Sequence, residues 1–146
     1  MFTLRSVLLV SLLTVAATSS FAEEFPFKPP ANQKEAEAKG LQRASMEELR
    51  QFMPGVLVSK GYKGGKHKLT FKSDGSVDRT GFGDKEQTGK WHFDEKNNAY
   101  CLAFQEKKGY KKTCFAVFHA PDGTNYLDYD IGNGFYAHAW HRAKGE

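Results

Sequence analysis

A chain of 146 residues, 40% apolar and 14% aromatic, can build the core of one domain and is short for several. Its 21 Lys plus Arg against 17 Asp plus Glu leave a formal charge of +4, well short of dedicated nucleic-acid binders yet compatible with a polyanion. Two cysteines alone fall short of a structural zinc site, which takes four Cys or His ligands.

The first stretch, "MFTLRSVLLVSLLTVAATSSFAEE", has a basic start at Arg5, an apolar run from Val7 to Ala17, and small residues Ser20 and Ala22 flanking Phe21. This pattern predicts a secretory signal peptide over residues 1–22, cleaved after Ala22. The run is shorter than the roughly 20 apolar residues of a spanning helix. No second such run follows, so no transmembrane segment is expected after cleavage, and the expected location is periplasmic or secreted. Residues 23–44 combine prolines with charge and predict a flexible lead-in that carries little of the fold, briefly helical at "NQKEAEAKG". In "SMEELRQFMPG", Ser45 and Glu48 form a capping-box pattern. Leu49, Phe52 and Met53 then share a helical face, and Pro54-Gly55 ends the run.

Beyond Gly55 the period changes to two. A strand is predicted near Val56 to Lys60, another in "KHKLTFKSDGSV", and a third near Val77 to Phe82. "TGKWHFDEKNNAYCLAF" and "TCFAVFHAPDGTNYLDYDIGNGFYAHAWH" bring the count to about eight short strands separated by tight turns, with no long crossover. The expected fold is mainly β: an antiparallel meander closing into a lipocalin-like small barrel or half-barrel, with one short helix, over residues 45–146. Cys101 and Cys114 lie equally far from a turn at 107/108, which sets them opposite one another on paired strands. In an oxidising compartment that predicts a disulfide staple.

Chemistry is sparse. On a strand His138 and His141 point to opposite faces, so they cannot share an ion, and neither a metal nor a cofactor is implied. Asp128 and Asp130 fall with Tyr126 on the face opposite Leu127, Tyr129 and Ile131, and are expected on a solvated outer surface. With no nucleophile elbow, phosphate loop or H-E-x-x-H motif, no catalytic residue is assigned and the reading leans away from an enzyme.

Two binding patterns remain. Tyr100, Phe104, Phe115, Val117, Tyr136, His138 and Trp140 fall on aromatic-rich faces and are candidates to line an interior that holds a small apolar or amphipathic ligand. Trp140→Ala should then weaken binding without unfolding the protein. Lys107, Lys108, Lys111 and Lys112 surround Tyr110 in "QEKKGYKKT", a surface suited to an envelope or host protein, or to a polyanion. "SKGYKGGKHKLTFK", with Tyr62 and Phe71, repeats that mixture.

Across residues 45 to 140, "SMEELRQFMPG", "LTFKSDGSV", "TGKWHF", "YCLAF", "KKTCFAVF" and "DGTNYLDYD" together resemble the DUF995-type exported proteins of proteobacteria. The resemblance implies a bacterial, exported origin and a small β fold with a disulfide. It lends no catalytic residue.

Overall fold

The computed structural model describes residues 27–60, 66–81 and 85–143, with the side chains of Lys60 and Lys66 left aside. The predicted signal peptide, Tyr62 and Phe82 lie outside the described residues. Two short helices, α1 (Gln33–Ala38) and α2 (Met46–Phe52), precede eight strands. These are β1 (Gly55–Lys60), β2 (Lys66–Phe71), β3 (Ser76–Thr80), β4 (Gln87–Asp94), β5 (Ala99–Glu106), β6 (Gly109–His119), β7 (Tyr126–Asp130) and β8 (Tyr136–Arg142). Each pairs antiparallel with the next, and β8 returns to β1 through Ser59 opposite Trp140, closing the barrel. Closure removes the exposed edges that an open sheet of this size would carry.

Alternation sends Leu57, Leu69, Phe71, Val77, Tyr100, Leu102, Phe104, Phe115, Val117 and Trp140 into one interior cluster. α2 plugs one end of it. The capping box forms as predicted: Ser45 Oγ accepts from the Glu48 amide and the Glu48 carboxylate accepts from the Ser45 amide. The latter bond is the main reason the Glu48 carboxyl is held below its usual range, and the same side chain reaches His119 Nε2 at 3.0 Å. Leu49, Phe52 and Met53 pack inward as the helical face predicts, Phe52 meeting the rings of Tyr126 and Trp140.

Within the "GKW" segment, Gly89 has a steric reason. A Cβ there would stand 2.5 Å from the Ala103 carbonyl oxygen and 2.6 Å from the Phe104 ring, so Phe104 lies flat on the β4 backbone because that position is bare. The other flank of Phe104 is covered by the Arg79 guanidinium, 3.9 Å from the ring centroid.

Residues 27–44 do more than lead in. They run as a strap along the outside of β6, β7 and β8, with Asn32 bridging Phe135 and Arg43 bridging Phe118. Backbone bonds fix the strap: the Tyr136 amide donates to Ala31, the Gln33 amide to Gly134, the His119 amide to Gln42, and the Ala44 amide to Val117. The reason is apolar. β6, β7 and β8 present Ala116, Phe118, Leu127, Tyr129 and Ala139 outward, and α1 covers them with the buried Ala36. The alanines let the helix approach closely, so the sheet buries both faces here.

Cys101 and Cys114 are register partners in the β5–β6 hairpin and are bonded to each other. With 13 residues of separation the loop closed is short, and the chain-entropy term for such a loop is about 3 kcal/mol. Replacing both by alanine is expected to lower the unfolding free energy by about that amount, read from urea midpoints of the paired proteins. Midpoints that coincide would show that the hairpin holds without its staple.

Candidate functional site

The most polar group in the interior is one that alternation alone sends outward. Asp128 is fully buried. Its Oδ2 accepts from the Tyr100 hydroxyl at 2.5 Å and its Oδ1 from Trp140 Nε1 at 2.7 Å. His138 Nε2 stands 3.0 Å from Oδ2, at ion-pair distance but out of line for a hydrogen bond. Burial, and then the adjacent Asp128, push the Tyr100 hydroxyl well above the ordinary phenol range, so it stays a donor. The predicted outer face of β7 is thus the inner one. Tyr126 and Asp128 look into the barrel, while Leu127 and Tyr129 look out under the strap. A buried carboxyl requires such donors, and here β5 and β8 supply them to a carboxylate on β7.

Of the seven interior candidates, Tyr100, Phe115, Val117, His138 and Trp140 do converge inside, with Phe104 beyond them toward the end away from α2. Tyr136 does not. Asp128 pairs with His138 but Tyr129 with Tyr136, so β8 carries one extra residue between them and Tyr136 turns to the outer cluster against Tyr129. His141 faces outward, as its odd spacing from His138 requires. Tyr100 and Val117 have no solvent-accessible surface and Trp140 has 1%, so these three side chains are enclosed by protein. They form a packed core. The expected Trp140→Ala effect is therefore revised: Trp140 stacks on Tyr126 at 4.7 Å and bonds Asp128, and its loss strikes the fold itself.

The lysine cluster stands elsewhere. Beyond Ala103 the register partners of β5 lie in β6 alone, and the partners of β7 begin only at Phe115. Gln105–Glu106 and Gly109–Thr113 consequently form a hairpin arm that runs past the β4–β5 and β6–β7 ladders, with Phe104 packed at its base. Lys107 and Lys108 make its turn, with Gly109 in the left-handed region at φ +110°. Lys107, Lys108, Lys111 and Lys112 are all exposed, and so is Tyr110, at 65%. Lys111 shares the face of Phe104, whereas Tyr110 and Lys112 share the face of Cys114, so the charges surround the tip. Sequence reasoning missed a second exposed ring, Phe135 at 60%, in the turn after β7.

Among the described residues the metal-type donors that cluster are the Asp94 carboxylate and the sulfurs of Cys101 and Cys114. Both sulfurs are joined in the disulfide and are not thiolates, so this trio is no metal centre. Among the described residues, no helix is long and apolar enough to cross a membrane. Neither a family model, nor a curated protein, nor a solved structure matches the chain.

Proposed function

We propose that the protein is an exported docking module that acts by binding, with the barrel as scaffold and the β5–β6 arm as its contact surface. One observation carries this reading: an aromatic ring, Tyr110, stands 65% exposed among four exposed lysines on a disulfide-pinned arm. Lysines on a projecting hairpin can serve merely to discourage edge-to-edge pairing. That role explains the charges but gives no reason for an exposed tyrosine. A small apolar or amphipathic ligand inside the barrel is the weaker reading, because Tyr100, Val117 and Trp140 would each have to move to touch it. Export rests on the signal-like first 22 residues and accords with the disulfide, and kinship with DUF995-type proteins belongs to the same proposal.

A photo-crosslinking residue placed at Tyr110 in living cells tests the module. An adduct is expected there and not at Asn97, on the opposite end of the barrel. Lys107→Glu combined with Lys111→Glu should abolish it. Equal labelling at both positions, or an adduct indifferent to the charge reversal, would remove the arm as the contact surface.

A further inference from the structure

The strap leaves a gap on the outside of the barrel, and what lines the gap is not apolar. Between the strap and the β4–β5 turn lies a groove of about 370 Å³, lined by Gln33 and Arg43 from the strap, Lys96, Asn97 and Asn98 from the turn, and Ile131 after β7. That volume falls in the range of small-molecule sites, but such sites are mostly apolar, and here Ile131 is the single apolar contributor among the described residues. The occupant it suits is polar. Among the described residues neither Arg43 nor Lys96 forms an ion pair, and Arg43 uses only Nη2 inside the protein, donating to the main-chain oxygens of Asn97 and Asn98. The carboxylates around the groove are held elsewhere. Asp94 accepts from Asn97 Nδ2 and from the Asn97 amide, bonds that keep its carboxyl below the usual range. Glu95 pairs with Arg50, and Asp130 is engaged by the Gly132 amide and by Asn133. Glu37, one turn along α1 from Gln33, is exposed and outside the lining.

The amides narrow the choice further. Gln33 Nε2 donates to the Asp130 main-chain oxygen at 3.5 Å, Asn97 Nδ2 to the Asp94 carboxylate, and Asn98 Nδ2 to the Ala44 main-chain oxygen. An oxygen partner fixes which end of each amide is the nitrogen, and all three carbonyl ends are left without a donor among the described residues. The groove therefore offers cations to an anion and carbonyl oxygens to hydroxyl groups. We propose that it binds a small acidic sugar, whose carboxylate or phosphate meets Arg43 and Lys96 and whose hydroxyls donate to the amide oxygens. A neutral sugar would leave both cations without a counter-charge. A zwitterion such as an amino acid would bring an ammonium group to a lining that holds no carboxylate, and no ring in the lining can stack on a nucleotide base. The site is separate from the β5–β6 arm and goes beyond the docking reading, which can fail without touching it.

The test follows the side-chain amide signals of Gln33, Asn97 and Asn98 by NMR while isotope-labelled, disulfide-bonded protein is titrated with glucuronate, a glucose phosphate, glucose or acetate. Both charged sugars should shift these signals, with affinities about tenfold or more above those of glucose, which lacks the charge, and of acetate, which lacks the hydroxyls. Either ranking of the two supports the proposal and identifies the anion. Binding should weaken as salt rises. Lys96 makes no hydrogen bond or ion pair among the described residues, so Lys96→Gln spares the fold. It should lower the affinity for both charged sugars about fivefold and leave glucose unchanged. Lys85→Gln, at the other end of the barrel, should change nothing. Glucose binding as tightly as glucuronate, or Lys96→Gln binding as tightly as the parent, would overturn the role given to the cations. Acetate matching glucuronate would overturn the sugar. Amide signals that stay still with both charged sugars at the highest soluble concentration would remove the site.

Discussion

Asp128→Ala is expected to be among the most destabilising single changes in the molecule. It leaves the Tyr100 hydroxyl and the Trp140 indole N–H, both buried, without their acceptor. Each orphaned donor costs about 1–3 kcal/mol, so the pair removes roughly 2–6 kcal/mol from a domain whose total is typically about 5–15 kcal/mol. Asp128→Asn separates this effect from loss of volume. Its carbonyl oxygen can still accept from Trp140, and its amide can donate to the tyrosine oxygen, so about half the loss should return. Urea unfolding of the three proteins checks the order. An alanine variant within about 0.5 kcal/mol of the parent would mean that the network is not holding the barrel.

Trp140→Ala should cost a similar amount, about 3–5 kcal/mol, for a different reason. The ring fills the barrel between Tyr126 and Phe52, and truncation leaves a hole that the rigid sheet cannot collapse into. Trp140→Phe keeps most of that volume and removes only the donor to Asp128. The two replacements therefore divide the loss into packing and hydrogen bonding. Combining Trp140→Phe with Asp128→Ala, each of which removes this hydrogen bond, should give less than the sum of the single losses, because the partners are shared. Strict additivity would show that the 2.7 Å contact contributes nothing.

These residues also mark where sequence reading succeeds and where it stops. Alternation, turn chemistry and the capping box are local, so the strands, α2 and the opposition of Cys101 to Cys114 were legible, as was closure into a barrel. Which face of β7 looks inward is not a local property. Leu127 and Tyr129 read as core and Asp128 as surface, and the assignment reverses because the strap covers the first pair and Tyr100 and Trp140 receive the second. The signal for the strap was present in Ala116 and Ala139, small residues on a face that polar side chains would otherwise occupy. Tyr136 was misplaced for a related reason: one extra residue in β8 shifts the phase, and alternation counted in from Trp140 cannot detect it. The lysines of the arm were legible as charge, but their projection depends on where the neighbouring strands end.

The pairing of β1 with β8 has a bearing on how the chain acquires its fold. Leu57 and Ser59 gain their second set of backbone partners from Arg142 and Trp140, more than 80 positions away, whereas nearly every other ladder joins consecutive segments. A nascent chain can assemble hairpins as it emerges, but the ring cannot shut until its last strand is available. This one long-range contact raises the contact order and makes closure a late, all-or-none event. Until then the molecule has two raw strand edges, open to pairing with other chains. Stability arrives with the eighth strand.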